Sequence, residues 1–259
     1  MNNVQAFQKA GHSSVILSGT GLAKFFGGLA AVSNVDFKLY ENEILGLIGP
    51  NGAGKTTLFN LLAGVLKPNH GVIDFDKEHI QGLRPDMICK KGIARTFQIT
   101  KPFLEMSVLE NVMVGSYFGS PGRRLLKECQ KQSEDMLSTL GLADKRKALA
   151  SQLNLVERKR LELARALSTS PIVLLLDEVI AGLNPTEAME MVALIRKIQE
   201  GGITILMIEH VMKAIMGLSD RIIVLNHGYK IAEGTPDEIV TSPLVIEAYL
   251  GGMADADSK

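Results

Sequence analysis

The chain of 259 residues has no tryptophan, only two cysteines and 5% aromatic residues. So few aromatics argue against a platform that holds single-stranded nucleic acid by base stacking. Cys89 and Cys129 lie far apart and match no metal-binding or redox spacing. They read as two reduced thiols of a cytosolic protein. A surplus of either charge is also missing, since 28 Lys and Arg stand against 28 Asp and Glu. A protein that coats nucleic acid or anionic lipid needs excess cations, because such binding is mostly phosphate electrostatics. No apolar run approaches the ~20 residues that span a bilayer. The longest, such as Ile172 to Leu176, are strand-sized. The opening MNNVQAFQKAGHSS is polar and lacks the apolar stretch of a secretory signal. Residues 1–14 and 252–259 are expected to be frayed tails.

What is present is a chain 46% hydrophobic, long enough to bury a sizeable core. One domain is expected over residues 15–251. Val35, Phe37 and Leu39 alternate with Asp36 and Lys38, the mark of a half-buried strand. Ile44 to Ile48 is continuously apolar, as in a strand covered on both faces. A glycine-rich loop and a helix from about Lys55 to Val65 follow. From about 99 to 167 the texture turns helical: Ser107 and Glu110 form a capping box, and Pro121-Gly122 breaks the pattern. Leu125, Leu126, Cys129, Met136, Leu137 and Leu140 then make a stripe. The last third alternates buried strands (Ile172–Leu176, Ile203–Ile208, Arg221–Leu225) with helices opened by Asn184-Pro185 and Thr235-Pro236. The prediction is an α/β fold with a mainly parallel sheet, an N-terminal antiparallel β subdomain and an inserted α-helical lobe.

Two motifs carry chemistry. Gly49-Pro50-Asn51-Gly52-Ala53-Gly54-Lys55-Thr56, followed by Thr57, fits G-x-x-x-x-G-K-[ST] between a buried strand and a helix. Its glycines let backbone N–H groups curl around an anion, and the helix start adds its positive dipole end. Lys55 brings a cation to the β- and γ-phosphates, and the Thr56 hydroxyl can ligate Mg²⁺. Asp177-Glu178 ends the strand Ile172–Leu176, where ligands of open α/β sheets bind. Asp177 can hold Mg²⁺ and Glu178 can polarise an attacking water.

With these residues the chain resembles the ATP-binding subunit of an ABC transporter, from about Val15 to Gly251. GPNGAGKTT looks like the family's Walker A and IVLLLDE like its Walker B. Gln98 in ARTFQ stands at the Q-loop glutamine, and His210 in MIEH at the switch histidine. Phe26 in KFFGG matches the aromatic that stacks on adenine, with Phe25 the alternative. Gly182 to Pro185 occupies the loop that contacts the opposite subunit. The wording FGGLAAVSNV, ARTFQITKPF and AGLNPTE is most similar to the ATP-binding proteins of branched-chain amino-acid importers.

The resemblance implies a P-loop, RecA-like core and an ATPase working with ATP and Mg²⁺. Thr56, Gln98 and Asp177 would surround the metal, Glu178 would act on water, and His210 would steady the γ-phosphate. It also implies transmembrane permease subunits, a second ATP-binding subunit (a homodimer or a paralogous heterodimer) and a solute-binding protein. The place would be the cytoplasmic face of the inner membrane. No nucleic-acid partner is expected. The signature is where the chain departs: Asn154 replaces its Ser and Val156 one of its Gly residues, at the contact to the other subunit's nucleotide. Val179 replaces a Pro after Glu178, and Asn184 replaces a frequent Asp. A regulatory partner with impaired catalysis is therefore the alternative, and a soluble repair or translation ATPase a third reading. The runs Arg123-Arg124, Lys145-Arg146-Lys147 and Arg158-Lys159-Arg160 read as solvated helix faces, with a γ-phosphate or inter-subunit role open for Arg158 to Arg160 near the signature. Met87, Met106 and Met113 read as core or as an adaptable docking surface.

Overall fold

The computed structural model describes residues 14–98, 100–119 and 125–254. Residues 1–13 and 255–259, most of the two expected tails, lie outside these, as do Pro121-Gly122 and the Arg123-Arg124 run. The chain divides into two compact units, one running to Leu83 and resuming at Thr204, the other Arg84–Ile203.

In the first unit, β1 (Val15–Phe26) and β2 (Leu29–Tyr40) pair antiparallel, and β4 (His70–Phe75) and β5 (Glu78–His79) extend the sheet in the order β2-β1-β4-β5. This is the antiparallel layer that the alternation at Val35–Leu39 predicts, and all three of its apolar residues are buried. A second sheet places β3 (Ile44–Ile48) between β8 (Thr204–Ile208) and β9 (Arg221–Asn226), both parallel to it. All five residues of β3 and of β8 are buried, which is why their sequences are apolar without alternation. The hairpin from β9 to β10 (Tyr229–Gly234) turns at His227 and Gly228, both at positive φ, the turn form that matches strand twist. α1 (Lys55–Leu62) follows β3 and buries Leu58, Phe59, Leu61 and Leu62. It stops short of the expected Val65, because Ala63 already leaves helical geometry and Gly64 takes φ 71°. α7 (Met212–Leu218), α8 (Pro236–Val240) and α9 (Pro243–Ala254) complete the unit.

Arg221 at the start of β9 is buried and donates to both carboxylate oxygens of Glu43, 2.9 and 3.1 Å away, just before β3. Glu233 of β10 also pairs with it. Desolvation offsets much of the Coulomb gain in such a network, so its main effect is to fix where these strands start.

The second unit pairs β6 (Ile93–Arg95) parallel with β7 (Val173–Asp177). β7 begins one residue later than the apolar run suggests, and Ile172 is exposed. Around the pair lie α2 (Pro85–Lys91), α3 (Val108–Phe118), α4 (Leu126–Thr139), α5 (Leu155–Leu167) and α6 (Pro185–Glu200). The predicted Ser107–Glu110 capping box is present. The stripe on α4 is shorter than predicted: Cys129, Leu137 and Leu140 are buried, but Leu125 and Leu126 at the helix start are exposed. Asn184 caps α6, its side-chain oxygen taking the Glu187 N–H at 3.0 Å while Glu187 accepts the Asn184 N–H at 2.9 Å. Asn184→Ala removes that acceptor and is expected to cost about 1 kcal/mol, whereas Asn184→Asp keeps the cap. Urea unfolding of the two variants beside the parent measures the difference.

Candidate nucleotide site

In the first unit the phosphate loop leaves the end of β3 and closes on α1. Gly54 is the cap residue of α1 at φ 103°, and a Cβ there would lie 2.2 Å from the Ala31 carbonyl oxygen. A Cβ on Gly49 would lie 2.1 Å from the Leu225 carbonyl oxygen. Side chains are thus excluded at both ends of the loop, and only glycine allows that backbone approach. Ala53 is buried, Asn51 and Gly52 are exposed, and Pro50 is half-buried. The Lys55 ammonium lies back across the loop, donating to the carbonyls of Gly49 and Pro50 at 2.7 and 2.9 Å. Thr56 is exposed on the first turn of α1 and Thr57 is half-buried. Tyr249 of α9 makes a hydrogen bond with the Gly49 backbone, and burial pushes its hydroxyl pKa up. The motif pattern gives no hint of that tie.

Phe26 at the end of β1 is 48% exposed, with the Lys24 ammonium 5.4 Å from its ring centre. Phe25 is less exposed, and its ring meets His70 edge-on with centres 6.2 Å apart. Of the two aromatics, Phe26 offers the more open ring. His210 is exposed two residues beyond β8.

The second unit gathers the carboxylates. Asp177 is 3% exposed at the end of β7, and its Oδ2 accepts from Arg95 at 2.8 Å. The Asp177 N–H is 3.1 Å from the Thr96 hydroxyl, which takes it. Gln98 Nε2 donates to Glu178 Oε2 at 2.8 Å. The structure therefore brings Gln98 and Glu178 together across 80 residues of sequence. Glu178 is half-buried and sits at φ 52°, a left-handed conformation that costs a non-glycine residue about 1–3 kcal/mol. Its carbonyl accepts from Lys159 Nζ at 3.0 Å. Lys159 corrects the reading of Arg158-Lys159-Arg160 as a solvated face: it is only 6% exposed and points inward from α5. Arg160 is half-buried and pairs with Glu190 at 2.6 Å.

Asn154 caps α5, accepting the Glu157 N–H at 2.9 Å and giving its own N–H to Glu157 at 2.9 Å. It thereby does a serine's capping work and remains exposed, while Val156 is half-buried. Glu162 of the same helix lies against the Phe97 backbone and Arg165. Burial pushes the Glu162 carboxyl above its ordinary range, against the pull of Arg165 and Phe97.

Sequence reasoning missed Arg95, Thr96, Lys159 and Tyr249. Arg95 and Thr96 lie three and two residues before Gln98, and only the parallel pairing of β6 with β7 brings them to Asp177. Among the described residues no three His, Cys, Asp or Glu groups cluster as a metal cage. Mg²⁺ in phosphate-transfer sites takes few protein oxygens and leaves the rest to phosphate and water. Hydroxyl, amide and carboxylate oxygens, the donor types of Thr56, Gln98 and Asp177, are each of the kind a hard cation takes.

A phosphate loop between strand and helix, with an Asp-Glu pair ending a second buried strand, defines a nucleotide-hydrolysing P-loop protein. A family model described as ABC transporter matches residues 32–181, and one described as branched-chain amino acid ATP-binding cassette transporter matches residues 230–255. The chain belongs to the ABC transporter family, as an ATP-binding subunit. It is 45% identical over 252 residues to the high-affinity branched-chain amino acid transport ATP-binding protein LivG of Escherichia coli strain K12, covering 92% of this chain and 99% of the relative. It is 42% identical to BraF of Pseudomonas aeruginosa, named likewise, with the same coverage. The solved structure of the ADP conformation of MJ1267, an ATP-binding cassette of an ABC transporter, superposes with a TM-score of 0.85 at 31% identity, covering 92% of this chain and all of that one. The expected fold class and family both stand.

Glu162 gives a pH signature. Its raised pKa means the folded state holds the proton longer than the unfolded chain, so its stability contribution falls as pH rises past the ordinary carboxylate range. Relative to Glu162→Gln, the parent should therefore lose urea resistance as pH rises through and beyond the ordinary carboxylate range. Parallel curves for the two proteins would contradict this.

Proposed function

We propose that the chain is the ATP-hydrolysing subunit of an importer for branched-chain amino acids or related amides. The observation that carries the reading is the Glu178 carboxylate held by Gln98 at 2.8 Å in a chain that also has a complete phosphate loop. The relatives named above, and the match of residues 230–255, support the substrate class.

Residue roles follow from chemistry. Lys55 exchanges the Gly49 and Pro50 carbonyls for phosphate oxygens, and the loop amides take the remaining charge. Phe26 stacks on the adenine. Thr56, Gln98 and Asp177 would hold Mg²⁺ through their oxygens, and the ion would supply neutralising charge to the phosphates. Glu178 orients the attacking water and accepts its proton, and Gln98 holds the carboxylate in place. His210 donates a hydrogen bond to the γ-phosphate as charge moves onto its oxygens.

Two copies, or one copy and a paralogue, close around two ATP molecules. Asn154 and Val156 form the contact to the partner's nucleotide. Asn154 retains amide donors while it caps α5. ATP drives closure by binding the closed state better than the open one.

Among the described residues no helix is long and apolar enough to cross a membrane, so the cargo path belongs to permease subunits. In the second unit Met87, Phe97, Phe103 and Leu104 are exposed apolar side chains close in sequence to Gln98, which suits docking of a permease helix. Met87 is thus on the surface rather than in the core. The subunit then works on the cytoplasmic face of the inner membrane, in a system that includes a solute-binding protein. Neutral charge and few aromatics leave nothing to favour nucleic acid.

The regulatory-partner reading rests on Asn154 and Val156, and the relatives named above support the importer subunit over it. Glu178→Gln is expected to slow hydrolysis by about a hundredfold or more while leaving ATP affinity within a few-fold. Light scattering on that variant should show a dimer with Mg-ATP and a monomer without it. Unchanged turnover would remove the assigned base, and a monomer that still binds ATP would point to a paralogous partner.

A further inference from the structure

Lys159 is the middle cation of Arg158-Lys159-Arg160 on α5, and nothing in the proposed mechanism uses it. Its ammonium is buried and donates to the carbonyl oxygen of Glu178 at 3.0 Å. Buried ammonium groups are costly unless bonded, so a lysine kept at this place needs that acceptor. Two further contacts leave α5 at intervals of three residues, which puts them on the same side of the helix. Glu162 meets the Phe97 backbone. Arg165 donates to the Lys101 carbonyl at 3.0 Å and lies 5.1 Å from the Phe103 ring centre. One helix face therefore touches both segments that carry the Gln98–Glu178 hydrogen bond: Phe97 beside Gln98, and Glu178 itself.

We propose that Lys159 is a positioning residue for the Glu178 carboxylate, acting through the Glu178 peptide. β7 ends at Asp177, so the strand ladder no longer fixes the peptide that follows. Glu178 holds φ 52° without a glycine's freedom. A charge-assisted bond to its carbonyl sets the plane of that peptide, and the plane sets the direction of the Cα–Cβ bond. That direction decides whether the carboxylate meets Gln98 and the water. Lys159 also follows Asn154 by five residues on one helix. The end of the helix assigned to the partner's nucleotide and the residue that aims the base thus move as one body.

The inference rests on Glu178 being the base, so both are tested together in the full-length chain. Single-turnover ATP hydrolysis and ATP binding are measured for Lys159→Met, Lys159→Arg, Glu178→Gln and the Lys159→Met/Glu178→Gln double variant. Lys159→Met is expected to lower the hydrolysis rate about tenfold to a hundredfold, with ATP affinity changed by less than about twofold. Lys159→Arg, which keeps a charged donor, should recover most of the rate. In the Glu178→Gln background Lys159→Met should cost less than about twofold more, because the group it aims is already disabled. A parent rate in Lys159→Met, or an equal loss in both backgrounds, overturns the proposal. A plain folding defect would lower both backgrounds alike and so count against it. Parent-like hydrolysis in Glu178→Gln alone would instead overturn the assignment of the base.

Discussion

A Cβ on Gly54 would lie 2.2 Å from the Ala31 carbonyl oxygen, and one on Gly49 would lie 2.1 Å from that of Leu225. The loop between them can exist only with bare backbone at both ends. That steric constraint sets the path of the loop and starts α1 at its end, where the helix dipole favours an anion. The strands around it answer the same need. β3 must end at the loop, and the Arg221–Glu43 pair fixes the start of β3 against the start of β9. Tyr249, from far along the chain, closes on the same Gly49 backbone. The first unit is in effect a scaffold for one loop.

The second unit solves a different problem, which is to hold two adjacent acidic residues by different partners. Asp177 is bound by Arg95 and Thr96 from β6 and the turn after it. Glu178, one residue later, has left the strand and needs its own supports: Gln98 on the carboxylate and Lys159 on the carbonyl. The left-handed φ of Glu178 takes its side chain out of the face-to-face alternation a continuing strand would impose. Burying Arg95 with Asp177 costs desolvation, so the pair is better understood as fixing geometry than as adding stability.

The signature region shows how a departure in sequence can leave local physics intact. Asn replaces Ser at position 154, yet both accept a backbone N–H at a helix start, and the reciprocal Glu157 bond is made. Val156 lies inside the first turn of α5, where a β-branched residue is tolerated. The helix that follows carries Lys159, Glu162 and Arg165 toward the residues around Gln98 and Glu178. What a reader of the sequence takes for a weakened motif is the well-formed start of the helix that carries Lys159 to the Glu178 carbonyl.

The sequence alone determined the strand and helix types, the phosphate loop, the Asp-Glu pair, the capping box at Ser107 and the helix starts at Asn184 and Thr235. Those depend on neighbours within a few residues, through periodicity, side-chain caps and glycine conformations. Gln98 and His210 were legible only through family order, because a single polar residue near a strand carries no local signal. The tertiary structure decided which distant groups meet: Arg95 with Asp177, Lys159 with the Glu178 carbonyl, Tyr249 with Gly49. It also decided the inward turn of Lys159 within a run of cations, and the exposure of Leu125 and Leu126 at the end of an apolar stripe. Composition gives the character of a helix face, but what stands opposite that face is set by packing between elements far apart in the chain.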